Sequence, residues 1–219
     1  MAKIGSGNST WAFKLGDGNN YSLKKMTTFI DSIIVERSYV GDKTLRNNLV
    51  PLKIGIFVWR VLKERIAVKL ELVKRGVNLA SLLCPICNKE VESTSHALIT
   101  CEYAKDVWSR IHNWWSLNFI PSINIESLLK DPNCNTLPRS LQKTWQAISW
   151  TTAYFIWKNR NQKFFNNDSW STAKLTCDIQ VKSFEWIMNR SSKINKDWLQ
   201  WLLNSINLGA PNVNNLDPG

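Results

Sequence analysis

The stretch from Cys84 to Cys101, CPICNKEVESTSHALITC, constrains this chain more than any other, because it gathers four metal-binding side chains into eighteen residues as C-x2-C-x8-H-x4-C. Zinc takes four thiolate or imidazole ligands in a tetrahedron. A Cys-x-x-Cys turn lets two sulfurs converge on one ion, while a following His and Cys close the site. Cys84, Cys87, His96 and Cys101 meet that demand and imply one structural Zn²⁺. A full ligand set leaves no coordination position for water, so a hydrolytic centre is not expected.

Two other readings of these cysteines need weighing. Buried free thiols are common core residues, and a Cys-x-x-Cys alone is weak evidence. The short spacing to His96 and Cys101 favours the metal. A disulfide fits worse, since five cysteines is an odd number, no secretory segment opens the chain, and Cys84 to Cys87 would close a strained loop. His112 stands sixteen residues past His96. It is at best an alternative ligand and reads as a surface or partly buried side chain.

Around the cluster stand VPLKIGIFVWRVLKERIAVKLELVKRGVNLASLLC upstream and HALITCEYAKDVWSRIHNWW downstream. This resembles the zinc-binding domain found after the reverse transcriptase of plant non-LTR (LINE-type) retrotransposons. That pattern opens P-x-K-x-x-x-F-x-W-R, places R-G before C-x-x-C, and continues with E-S-x-x-H, a Cys and V-W. Pro51, Lys53, Phe57, Trp59, Arg60, Arg75, Gly76, Glu92, Ser93, Val107 and Trp108 fill those positions together with the four ligands. The lead-in STWAFKLGDGNNYSLKK and the later IWKNRNQKFF are similar to further motifs of the same elements, W-x-x-x-x-D-G-x-x-S-V-K and W-x-x-R-N-x-x-x-F. The resemblance implies a module of retroelement origin that lies beside a polymerase and is not itself one.

A chain of 219 residues can bury one good core or two small ones. Its net charge of +11 favours polyanionic partners, nucleic acid ahead of a membrane. No apolar run approaches the ~20 residues that span a bilayer. An intracellular protein, nuclear or cytoplasmic, is expected.

Apolar periodicity predicts a mainly α protein with a small N-terminal β-hairpin and a zinc-stapled helical domain. Trp11, Phe13 and Leu15 alternate on a short strand, Gly16 to Asn20 make a turn, and a second strand lies near Tyr21 to Leu23. A helix then runs to Glu36, carried by Met26, Phe29, Ile30, Ile33 and Ile34. Pro51 suits the first turn of a helix whose stripe is Ile54, Phe57, Val58 and Val61, widened by Leu52, Ile56 and Trp59. A second helix from about Ala67 ends at Gly76.

Ala97 to Ser116 reads as one amphipathic helix with Cys101 in its second turn. Trp108 and the Trp114–Trp115 pair fit either of two roles, stacking platforms for bases or core, the commoner fate of aromatics at helical spacing. A short helix is expected around Ile125 to Lys130. A helix apolar on two faces then carries Leu141, Trp145, Ile148 and Ile156 on one side and Ala147, Trp150, Tyr154 and Trp157 on the other. Ser169 or Ser171 caps a further helix with Ala173, Cys177, Val181, Phe184 and Met188 inward, and Asp197 to Asn204 form a last turn. The expected organisation is 1–45 hairpin and helix, 46–118 zinc domain, 119–139 linker, 140–205 helical region and 206–219 disordered tail.

From Pro51 to Arg75 the cations Lys53, Arg60, Lys63, Arg65, Lys69, Lys74 and Arg75 outnumber Glu64 and Glu71 by five. This is either a phosphate-facing surface or a solvated face. The loop between the zinc ligands offers Lys89 against Glu90 and Glu92, a poor phosphate site. No Asp-Asp pair, P-loop or nucleophile elbow occurs, so an enzyme is not expected. A nucleic-acid-binding module for RNA or single strands is the leading expectation. A zinc-stabilised protein-interaction or scaffold domain is the alternative.

Overall fold

The computed structural model describes residues 46–117, 125–130, 137–191, 194 and 197–203. The expected N-terminal hairpin and helix and the expected tail lie outside these residues, as does most of the expected linker. Seven α-helices and one π-helical turn occur among the described residues, with no strand beyond a single antiparallel bridge, Leu83 to Val91. The protein is mainly helical there.

Helix α1 is Leu52–Leu62, and Pro51 precedes it as its N-cap residue. Ile54, Phe57, Val58 and Val61 are buried, as their spacing predicts. Leu52 and Ile56, expected to widen the stripe, are exposed. They sit off the stripe of the helix that faces α4 and α5, on the side left to solvent. After a tight reversal at Glu64, α2 (Lys69–Lys74) ends two residues before Gly76, whose φ of 84° is the left-handed conformation that a helix C-terminus favours glycine to supply.

The helix expected from Ala97 to Ser116 is broken at Cys101. His96–Thr100 form a π-helical turn, Cys101 is extended at φ −60° and ψ 134°, and α3 runs Glu102–Trp114. The break turns the Cys101 sulfur toward the other ligands, a direction that a continuous helix would not give it. Helix α4 is Ile125–Lys130, as expected.

Helix α5, Arg139–Asn166, is the axle of the unit, packed against α1, α3, α4, the π-helical turn and α6. It buries residues from both apolar faces, among them Trp145, Ile148, Trp150 and Ile156. Asn167 ends it in the left-handed conformation at φ 51°. Ser171 then caps α6, Thr172–Arg190, by accepting the Lys174 amide at 3.2 Å. A hydrogen bond from Thr172 holds the Asp106 carboxyl below its ordinary range, with Arg110 helping, and ties the start of α6 to α3.

The inward face of α6 differs from the expected one. Leu175, Ile179, Ser183 and Ile187 are buried, Phe184 and Met188 are half-buried beside them, and Cys177 and Val181 are exposed, as is Ala173. Both stripes have helical spacing. The larger aliphatics at 175, 179 and 187 remove more apolar area from water than Ala and Cys, and they set the rotation. Helix α7, Trp198–Leu203, lays Trp201 on this layer.

Tryptophan fills the core. Trp108, Trp115, Trp145, Trp150 and Trp201 are completely buried. Trp115 and Trp145 have ring centroids 5.0 Å apart, and Trp114 meets Trp201 edge-on at 5.4 Å. His112 is also buried, contrary to expectation. Its ring lies 5.0 Å from that of Trp145, and Nδ1 donates to the Trp108 carbonyl at 2.8 Å, one helical turn back. That local bond lets an imidazole enter an apolar core.

Candidate metal centre

The ligand loop is built on a tight backbone turn. The Asn88 amide donates to the Cys84 carbonyl at 2.9 Å, and Asn88 takes a left-handed φ of 55°. The Cys84 amide donates to the Glu90 carbonyl at 2.7 Å and the Glu92 amide to the Leu82 carbonyl at 2.8 Å. These bonds fold 82–92 back on itself and place Cys84 and Cys87 side by side. On the opposite side Ser93 accepts the His96 amide at 3.0 Å through Oγ and the Ala97 amide at 2.9 Å through its carbonyl, starting the π-helical turn.

The result brings together all four residues that the spacing selects. One donor atom each from Cys84, Cys87, His96 and Cys101 lies within 4.8 Å of the other three, and Cys87 Sγ is 3.3 Å from His96 Nε2. In a zinc tetrahedron with Zn–S near 2.3 Å and Zn–N near 2.0 Å, neighbouring donors stand roughly 3.5 to 3.8 Å apart. The cluster could hold one zinc ion. His112 is no part of it.

Protonation of the cluster follows from crowding three thiols. The Cys101 thiol donates to the Cys84 sulfur and pulls Cys84 down to about 5, against its burial, with the Cys87 and Ile86 amides aiding. The same bond, with burial, pushes Cys101 up. Zinc binding must displace the protons that remain, so it weakens as pH falls.

Two carboxylates near the ligands carry roles that spacing alone does not disclose. His96 Nδ1 lies 3.0 Å from Glu90 Oε2 and 3.3 Å from Thr100 Oγ1. With Nε2 facing Cys87, Nδ1 is the protonated nitrogen and donates to Glu90, the arrangement that orients an imidazole toward a metal. Glu92 is completely buried. It accepts Arg160 Nε at 2.6 Å through Oε1, and Arg160 Nη2 and the Lys69 amide, the latter at 2.9 Å, through Oε2. Arg160 stacks its guanidinium over Trp157 and Phe164, 5.0 and 4.7 Å from their centroids. The ligand loop, the start of α2 and the C-terminal part of α5 therefore meet on one carboxylate. Glu92 and Arg160 each belong to a motif quoted from the sequence, but their partnership across 68 positions had no signal there.

The seven cations from Pro51 to Arg75 do not form one uniform face. Lys74 is paired with Glu71 at 2.6 Å, and the Lys69 ammonium donates to the Leu83 carbonyl at 2.7 Å, holding the ligand loop. Lys53 lies 5.9 Å from the ring centroids of both Tyr154 and Trp186. Arg60 stands in the last turn of α1, Lys63 and Arg65 in the reversal that follows, and Arg75 at the end of α2. Arg60 donates to the Arg65 carbonyl, Arg75 to the Glu64 carbonyl, and Arg65 covers Trp59 at 5.6 Å. All four are exposed, and among the described residues none meets a carboxylate at ion-pair distance.

Among the described residues no helix is long and apolar enough to cross a membrane. No curated protein and no solved structure matches the chain. Residues 26–108, which contain the four ligands and both basic helices, match the family described as zinc-binding in reverse transcriptase, so this part of the chain is similar to a reverse transcriptase zinc-binding domain.

Proposed function

We propose that this chain is a non-catalytic, zinc-stabilised module that binds nucleic acid, RNA or single strands, without sharp sequence specificity, and that it derives from the C-terminal part of a plant LINE-type retrotransposon polyprotein. The cluster of Arg60, Lys63, Arg65 and Arg75 carries the reading. Four exposed cations that meet no carboxylate among the described residues, on a chain of net charge +11, are available to phosphates without first breaking an ion pair. Zinc in the four-ligand site acts as a cross-link and leaves no position for water.

The test is titration of a labelled single-stranded RNA at several salt concentrations. Removing one cation that neutralises a phosphate should lower the salt slope by roughly 0.7. An Arg60→Ala, Lys63→Ala, Arg75→Ala variant that keeps its zinc should bind more weakly and with a shallower slope. Unchanged affinity and slope would favour the scaffold reading. No primer extension or ribonuclease activity is expected with Mg²⁺ or Mn²⁺.

A further inference from the structure

We infer that Trp170, in the short connection between α5 and α6, is a base-stacking platform for a single-stranded nucleic acid, served by Lys158 and Lys174. The inference rests on the proposed nucleic-acid binding, and it places a binding surface on the helical layer beyond the span similar to the zinc-binding domain. Three observations point to it.

The Trp170 backbone is pinned from two sides. Its amide donates to the buried Asn159 Oδ1 at 2.8 Å, and its carbonyl accepts the Tyr103 hydroxyl at 2.9 Å. The side chain is half-buried, packed against the core with part of its surface left in solvent. A ring held in place at the surface pays its ordering entropy before any ligand arrives.

Two exposed lysines serve this ring. The ammonium groups of Lys158 and Lys174 lie 5.3 and 4.8 Å from its centroid. An exposed cation–π interaction favours its geometry by only about two- to fivefold. Base stacking on an aromatic ring is worth about five- to 150-fold. A base therefore displaces an ammonium from the ring, and the freed lysine turns to the adjoining phosphate.

Further cations and rings lie beside this site. Lys158 also lies 5.7 Å from the Phe155 ring, Phe155 is 6.3 Å from Trp186, and Trp186 carries Lys53. Three exposed lysines from α1, α5 and α6 thus edge a line of rings in which Phe155 is buried and Trp170 and Trp186 are half-buried. The nearby carboxylates are already matched, Asp178 by Lys174 at 3.0 Å and Glu185 by Lys182 at 2.7 Å. The Lys174–Asp178 pair is exposed and weak, so it does not withhold Lys174 from a phosphate. Charge and aromatic surface together fit a strand of unstacked bases better than a duplex, whose bases offer no free face.

The experiment uses the full zinc-loaded chain and a labelled oligouridine of about twelve nucleotides, a length within reach of one such track. Trp170→Leu should weaken binding at least about fivefold while leaving the salt slope unchanged, and Trp170→Phe should restore most of the loss. Lys158→Ala with Lys174→Ala should lower the slope by about 1.4, the value for two single-strand phosphates. Zinc content and far-ultraviolet circular dichroism of each variant establish that it is folded. Wild-type affinity and slope in folded Trp170→Leu and in the double lysine variant would overturn the inference. If the Arg60, Lys63 and Arg75 variant loses binding in that same case, the proposed function stands without the platform. Failure of the unaltered chain to bind oligouridine at any salt would overturn both.

Discussion

The ligand loop and the helical layer beside it reach order by opposite means. Between Leu82 and Cys101 the chain is fixed by directional groups: backbone bonds across the turn, Ser93 on the His96 amide, Glu90 on the imidazole and four donor atoms aimed at one point. In α5, α6 and α7 the order comes from apolar bulk, with Trp145, Trp150, Ile179, Ile187 and Trp201 wholly enclosed. A loop of this size cannot bury enough apolar surface to fold alone, whereas the helices can. The comparison teaches that the two parts should respond differently to the same insult. They are joined by the Glu92–Arg160 pair and by the π-helical turn, whose Leu98 and Ile99 are buried against α5.

Metal removal should separate them most widely. Structural zinc contributes on the order of 10 kcal/mol in small modules. Cys87→Ser or His96→Ala should abolish the single bound zinc, measured by elemental analysis, and should open amide exchange across 82–101. The amides of α5 and α6 should stay protected. Equal loss of protection in both regions would show that the helical layer has no independent core.

Breaking the joint is the next largest effect. Arg160→Leu leaves the Glu92 carboxylate buried with only the Lys69 amide, and orphaning one member of a buried ion pair costs about 3 to 5 kcal/mol. Denaturant unfolding should read that loss, and zinc affinity should fall with it. Glu92→Gln should be milder, because an amide oxygen still accepts from Arg160. A double Glu92→Leu, Arg160→Leu variant should regain part of the loss, since two apolar groups need no partner. A single variant as stable as the unaltered chain would mean that the ion pair adds nothing to the packing of the π-helical turn on α5.

How much of this was legible in the sequence follows the same division. The ligands lie within eighteen residues and their chemistry is local, so spacing alone named all four. The basic stretch is visible as charge, but not the partners its members take, the Leu83 carbonyl for Lys69, Glu71 for Lys74 and the Tyr154 and Trp186 rings for Lys53. Periodicity found the helices and missed their details, because two stripes on α6 have the same spacing. The break at Cys101 was hidden because Leu98, Cys101 and Ala104 keep helical spacing through it. The sequence offers His112 only its distance from His96, which reads as a surface or partly buried side chain and says nothing of the core. The Trp108 carbonyl that satisfies His112 appears only once α3 is formed.

The rotation of α6 can be checked directly. Ile179→Ala removes a wholly buried aliphatic side chain and should cost about 2 to 5 kcal/mol. Cys177→Ala and Val181→Ala touch the exposed side and should stay within about 0.5 kcal/mol of the unaltered chain. Neither change should alter zinc content. The reverse order of stabilities would restore the face that includes Ala173 and Cys177.

The smallest effect concerns Glu90, and it sharpens the account of the loop itself. Its carboxylate holds His96 Nδ1–H at 3.0 Å and so presents Nε2 toward Cys87. Loss of such an orienting partner typically lowers metal affinity ten- to a hundredfold. Glu90 is 67% exposed, and Thr100 Oγ1 also lies within 3.3 Å of the same nitrogen, so the loss should fall near tenfold. Competition with a chromophoric chelator should give that figure for Glu90→Gln, and the cobalt-substituted protein should keep its tetrahedral absorption because all four ligands remain. A Glu90→Ala, Thr100→Val variant should lose more, since neither side chain then accepts from Nδ1. Unchanged affinity in both variants would mean that the two nearest ligands and the π-helical turn orient His96 unaided, and the loop would be simpler than its hydrogen bonds suggest.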